Sequence, residues 1–345
     1  MTTQQRTILW ILLIVGLVVA FLADLLIGSS LIPLKEVLRI LAGQEPENDV
    51  WQAIVLQFRL PKALTAVAVG MALAVSGLQM QTVFRNPLAG PYVLGISAGA
   101  SLGVAILVMG VSSFLSFQTL MNLGNWLIVG AAWLGSALIL VLILAVSLRV
   151  RDIMTLLILG IMFGSGASAI VSILQYFSSE TLLKAFIVWT MGSLGGVSMQ
   201  QLGILLPVVG VGLLMSLLSV KLLNVFMVGE NYARSMGMNI RTTRILLFTS
   251  TSLLAGTVTA FCGPIGFIGI VIPHIGRMLF RTANHMVLLP GSMLLGAILL
   301  LISDIISQLP GTDSTLPINS ITALIGIPII IWLIIKNRRL NLMNS

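Results

Sequence analysis

An ionisable side chain inside an apolar run is expensive, roughly 3 kcal/mol or more at the bilayer centre, so it marks where a membrane chain binds ions or does chemistry. This sequence has few. Asp24 stands near the end of the first apolar run, Asp304 near the end of the ninth, and His274 near the middle of one, within Pro273-His-Ile-Gly-Arg277. Ion-coupled transport needs a midplane acid or a broken-helix ion site. The two aspartates stand at span ends, where capping or pairing is the ordinary role, and a lone His in a span ordinarily makes one interhelical hydrogen bond. No Ser/His/Asp set, His-Glu-x-x-His motif or paired carboxylates appear, which leaves a membrane-embedded enzyme without catalytic groups. Two histidines and one cysteine, Cys262, exclude a Cys/His metal cluster and an internal disulfide. No cofactor is expected. No Gly-x-x-x-x-Gly-Lys-Ser/Thr occurs, so the chain has no phosphate-binding loop of its own. Asn86-Pro-Leu-Ala-Gly-Pro-Tyr92 enters a Gly-rich helix start, Gly95-Ile-Ser-Ala-Gly-Ala100. It lacks the Lys and the preceding strand of a phosphate cradle.

A polar island carries a different kind of chemistry. Gly229-Glu-Asn-Tyr-Ala-Arg-Ser-Met-Gly237 is flanked by apolar runs, Leu202–Val220 before it and Ile245–Cys262 after it. Its pattern reads as a short amphipathic helix. Glu230 sits at the positive N-terminal end, with Arg234 one turn on at i+4. Tyr232 and Met236 form an apolar stripe, and Gly237 is a C-terminal stop. Such a helix suits a plug for a soluble partner. An ordinary connecting loop is the competing reading of this segment alone.

The elements that position these residues are membrane spans. Charged residues are 8% of the chain, against about 25% in an ordinary soluble domain, and mean hydropathy is +1.11. About ten apolar runs approach the ~20-residue spanning length: Ile8–Ile27, Lys62–Val83, Leu94–Val111, Leu127–Leu148, Met154–Phe177, Leu202–Val220, Ile245–Cys262, Ile265–Phe280, Met286–Ile306 and Ile318–Ile335. Pro61 opens the second run, an ordinary place for proline in a first helical turn. Leu182–Met191 is too short to span, so it lies at the surface or re-enters. Small residues at four-residue spacing predict close helix packing: Gly95, Gly99 and Gly103; Gly160 and Gly164; Ser292 and Gly296. With the N-terminus inside, Lys35, Arg39, Arg59, Lys62 and Lys184 fall outside, with most acids including Asp313; the remaining Lys and Arg of the 18, among them Arg151, Arg244, Lys336, Arg338 and Arg339, fall inside. The net charge of +8 therefore reads as positive-inside topology with both termini cytoplasmic, and not as nucleic-acid binding. The chain reads as an all-α integral membrane protein, one transmembrane domain over 1–345, with a cytoplasmic loop at about 224–243.

The motifs occur in one order. Arg59-Leu-Pro-Lys62, Ser76-Gly-Leu-Gln-Met-Gln81, Asn86-Pro-Leu-Ala-Gly90 and Leu94-Gly-Ile-Ser-Ala-Gly99 come first. Gly229-Glu230, Ala233 and Gly237 follow, then Gly263-Pro-Ile-Gly-Phe-Ile-Gly-Ile-Val-Ile-Pro-His274 with Arg277. Leu288-Leu-Pro-Gly291, Ser303-Asp304, Leu316-Pro317 and Thr322-Ala-Leu-Ile-Gly326 close the series. This set, over roughly residues 8 to 336, resembles the FecCD family, the permease subunits of ABC importers for iron-siderophores, haem and cobalamin. The resemblance implies a type II importer permease of ten helices in the cell inner membrane, without its own ATPase site. It implies pairing with a second copy or a close relative, two ATP-binding subunits below, and a periplasmic or lipid-anchored substrate-binding protein outside. It places ATPase coupling at Gly229, Glu230, Ala233, Arg234, Met236 and Gly237, with Met236 where the family usually has Leu. It places a cytoplasmic gate around Asp152, Ile153, Met154 and Thr155, and likens the segment containing Leu182–Met191 to a gating helix at the outer mouth. In the family's cobalamin importers, basic residues on the outer face meet acids of the binding protein. Arg59 and Lys62 fall on two such positions, and Gln308 replaces the third. An ion-coupled secondary transporter is the alternative function.

Overall fold

The computed structural model describes residues 2–28, 30–110, 125–150, 152–308 and 315–343. Val111, Arg151 and Asp313, and the side chains of Lys336, Arg338 and Arg339, lie outside the described residues. Each of the apolar runs named above forms a helix: α1 Thr3–Leu26, α3 Asp49–Val83, α4 Ile96–Gly110, α5 Asn125–Ser147, α6 Ile153–Phe177, α8 Met199–Leu218, α11 Ile240–Cys262, α12 Ile268–Phe280, α13 His285–Ser307 and α14 Ile318–Met343. Of these, 7 are long and apolar enough to cross a bilayer, while α4, α12 and the apolar part of α14 are shorter. Short helices join them: α2 Leu34–Leu41, α7 Glu180–Thr190, α9 Val220–Val228 and α10 Glu230–Ser235.

Local sequence explains where the helices start. A capping box of Thr2 with Gln5 opens α1, and one of Ser198 with Gln201 opens α8. Asp152, Asn239 and Asn284 cap α6, α11 and α13, each side chain accepting from a first-turn backbone N–H. One expectation is corrected. Pro61 does lie in the first turn of the α-wound part, Leu60–Val83, but the helix itself starts earlier, because helical winding runs without a break from Asp49 to Val83. The turns over Ile54–Arg59 are π-wound, and Leu60 N–H donates to the carbonyl of Val55. The widened turn before Pro61 accommodates the ring and the missing N–H that would kink a regular α-helix.

Helix α3 is the centre of the bundle, 83% buried over its most apolar window, with α11 next at 78%; α1 and α6 are at 22%. Lipid supplies no hydrophobic force between helices, so packing and polar contacts hold them together. A Cβ at Gly77 would overlap the backbone of Gly269, one at Gly70 would overlap that of Gly296, and Gly99 and Gly103 meet Gly135 and Ala131 of α5 in the same way. Gly95 approaches Gly160 and Gly164. These contacts bear out the small-residue spacing. A buried polar knot adds to them, in which Gln79 bonds Ser216 (3.0 Å), Ser250 (3.2 Å) and Thr251 (2.9 Å), joining α3, α8 and α11.

Candidate functional site

The polar island forms the helix that its pattern predicts. Helix α9 stops at Gly229, whose φ of +126° an L side chain rarely adopts. After Glu230–Ser235 the chain reverses at Gly237 (φ +82°). There Gly237 N–H donates to Arg234 O and Met238 N–H to Ala233 O, the double bond pattern of a Schellman stop. Tyr232, Arg234 and Met236 are exposed, whereas Ala233 is 0% exposed. Ala233 therefore seats the helix on its own chain, and the outward face belongs to the other three.

The acid of this helix departs from the expected i+4 relation. Among the described residues, the ion pair of Glu230 is with Arg244 on α11, not with Arg234. Arg244 Nε donates to Oε1 at 2.9 Å, and Nη2 reaches Oε1 at 2.6 Å and Oε2 at 2.7 Å. The same guanidinium donates from Nη1 to the carbonyl of Val150, at 3.3 Å, in the connection between α5 and α6. The residues Asp152, Ile153, Met154 and Thr155 follow directly, as the cap and first turn of α6. Asp152 accepts from the hydroxyl and the N–H of Thr155, both at 2.7 Å. These bonds, the hydroxyl's foremost, hold the Asp152 carboxyl below the usual carboxylate range, and the charge of Arg244 adds to them. The polar island and the Asp152–Thr155 segment thus lie together at one end of the bundle. A second tie anchors α9: the His285 ring lies 2.8 Å from both Asn224 Oδ1 and Thr82 Oγ1. The sequence reading missed Arg244 as more than one basic residue among many. Its signal was an arginine one turn inside an apolar helix that follows a polar island holding an acid.

At the opposite end, Arg59 and Lys62 both have partners within the chain. Arg59 is 7% exposed and donates to the carbonyls of Leu25 and Leu26, each at 2.9 Å, and to that of Ser30. It thereby satisfies the last carbonyls of α1. Lys62 Nζ lies 2.9 Å from Asp304 Oδ2, so Asp304 pairs as its place at a span end suggests. Gln308 Nε2 donates to Asp304 (2.8 Å) and Asp24 (3.3 Å). Both lysine and arginine line a cavity of about 550 Å³ that is walled in part by Val188, Ser193 and Leu316. The short helix α7 approaches the same cavity, held at its end by Ser193 N–H on the carbonyl of Cys262, at 2.8 Å. His274 Nε2–H donates to the Pro87 carbonyl at 2.8 Å, so its bond runs from α12 to the turn after α3 and not, as expected, to another helix.

Helix α6 presents an unusual exposed face. Ser165, Gly166, Ser168, Ala169 and Ser172 are exposed near its middle, among the exposed apolar Ile161, Met162, Ile170 and Ile173, whereas the exposed face of α1 is Ile11, Leu12, Ile14, Val15, Val18 and Val19. Serines at three- and four-residue spacing fall on one side of a helix. That spacing was legible in the sequence and was not singled out.

The model of the FecCD transport family matches residues 16–336. The vitamin B12 import system permease protein BtuC of Citrobacter koseri is 37% identical over 318 residues, covering 90% of this chain and 93% of the relative. That of Shigella boydii is 36% identical over 338 residues, covering 97% and 98%. A solved inward-facing metal-chelate type ABC transporter superimposes with a TM-score of 0.81 at 29% identity, covering 94% of this chain and 97% of that one. An all-helical membrane bundle with this ordered set of motifs, matched along nearly its whole length, belongs to the FecCD transport family and is a permease subunit of an ABC importer.

Proposed function

We propose that this subunit imports a bulky cobalamin- or metal-chelate-like ligand across the cell inner membrane, driven by ATP hydrolysis in partner chains. The α6 face carries this reading: a stripe of Ser165, Ser168 and Ser172 is weakly polar where a lipid-facing helix would be apolar. Such a surface wets a path without holding a large ligand tightly. A second permease, identical or closely related, completes the path. The exposed Tyr232, Arg234 and Met236 of α10 meet one of two ATP-binding subunits, with both termini on that cytoplasmic side and the basic residues enriched there. Asp152–Thr155 forms the cytoplasmic gate.

The opposite end receives a substrate-binding protein. Lys62 fits this role better than Arg59, because its side chain is the more exposed of the two, at 17%, while the guanidinium of Arg59 is taken up by carbonyls of α1. Ion coupling is disfavoured, since Asp304 is paired at a bundle end and His274 is bound to a backbone carbonyl. The test is uptake of vitamin B12 and of a ferric siderophore into vesicles holding the complete transporter, with ATP inside and proton and sodium ionophores present. Uptake is expected to need ATP and to persist with the ionophores. A gradient-driven uptake without ATP would refute the proposal.

A further inference from the structure

Among the described residues, one side chain touches both of the segments that must move together in such an importer. Glu230 begins the helix read as the ATPase contact, and Val150 ends two residues before the cap of the gate helix α6. Neither segment is regular structure continuous with the other. Arg244 lies between them, its side chain 4% exposed, with Nε and Nη2 on Glu230 and Nη1 on the Val150 carbonyl. A guanidinium presents five donors in a fixed plane, so it holds two acceptors at a set angle; an ammonium has no such plane. Asp152 stands near enough for the charge of Arg244 to favour its ionised form, so the cap of α6 is tuned by the same group. A removed guanidinium would leave Glu230 half-buried without its partner and the α5–α6 connection without this donor.

We infer that Arg244 is the positioning residue that transmits displacement of the coupling helix α10 to the gate at the start of α6, by clamping Glu230 and the Val150 carbonyl with one guanidinium. The inference rests on the coupling reading of α10. It differs from that reading in what it assigns: the ATPase is met by the exposed face of α10, and the motion leaves α10 through its buried acid. Charge alone does not suffice, because the Val150 carbonyl needs a donor.

Spin labels separate the two. In a Cys262→Ser background, one labelled subunit per complete transporter carries Ser235→Cys with Ala283→Cys, or Arg149→Cys with Ala283→Cys; all three sites are exposed. Distances are measured without nucleotide and with a magnesium-bound non-hydrolysable ATP analogue. In the wild type both distances should shift. With Arg244→Gln the 235–283 shift should remain and the 149–283 shift should be lost, with the ATPase still co-purifying. The exchange Glu230→Arg with Arg244→Glu restores an ion pair but offers no donor to Val150, so it should restore stability without restoring the 149–283 shift. Arg244→Lys should restore part of that shift. The inference is overturned if the gate label still moves in Arg244→Gln, if the charge exchange recovers its movement, or if every variant loses the ATPase together with its fold. A wild type in which the 235 label does not respond to nucleotide would instead overturn the coupling reading itself.

Discussion

At the scale of single residues, several buried charges of this protein stand near the ends of the bundle with partners within the chain. Lys62 and Asp304 show the consequence most directly. Asp304 is 1% exposed, and Lys62 supplies its countercharge at 2.9 Å. Breaking a buried pair leaves an unpaired charge, whereas replacing both members with apolar residues is often close to neutral. Lys62→Met is therefore expected to destabilise the protein by about 3 kcal/mol, read as a fall in unfolding temperature in detergent. Lys62→Met with Asp304→Leu should recover most of the loss. If the single variant unfolds at the wild-type temperature, the pair contributes nothing. The sequence located both residues but not their partnership, because residues 242 positions apart carry no mark of meeting. Arg59 is a similar case. Its position at an outer helix end suggested a free charge, and the fold turned it into a cap for α1.

At the scale of elements, α10 has an inner and an outer face, and the two should fail differently. Ala233 is fully buried, so Ala233→Trp must displace its neighbours; overpacking of this kind costs about 1–3 kcal/mol. It should unseat α10 and abolish ATPase association while the remaining spans stay folded. Tyr232→Ala with Met236→Ala removes only exposed apolar surface, so it should weaken ATPase binding with no change in the permease's unfolding temperature. Co-purification and thermal unfolding measured on both variants check the assignment, and equal behaviour would contradict it. The start of α6 permits a pH prediction. The carboxyl of Asp152 is held below its ordinary value, so its cap contributes stability above the unfolded pKa of about 4 and loses it as pH falls through the depressed folded value. Amide exchange at Met154 and Thr155, corrected for intrinsic rate, should be constant from about pH 5 to 8 and rise only in stronger acid. A change centred near neutrality would assign the cap to another group.

At the scale of the whole molecule, the exposed face of α6 is where the proposed path can be tested. Ser165→Leu with Ser168→Leu makes that face resemble the one α1 turns to lipid. The protein should insert and bind its ATPase normally, because neither serine is buried. Uptake should fall at least tenfold if the face lines the path, as measured with whichever of vitamin B12 or a ferric siderophore the wild type carries. Unimpaired uptake would place the path elsewhere. The proposed function fits the small number of ionisable groups inside the bundle, because a bulky ligand would need a surface it does not adhere to.

The sequence by itself determined the spans, the polar island with its glycine stops, the small-residue contacts and the family. All of these follow from local periodicity or ordered motifs, and hydrocarbon leaves a helix few other ways to satisfy its backbone. Only the tertiary structure decided who pairs with whom. It turned Glu230 from Arg234 to Arg244, put Ala233 inward, let helical winding run through Pro61, and joined the island to the α5–α6 connection at Val150. The physical reason is that a buried charge takes whichever partner the packing brings within about 3 Å, and that partner is set by how helices far apart in the chain come to lie side by side.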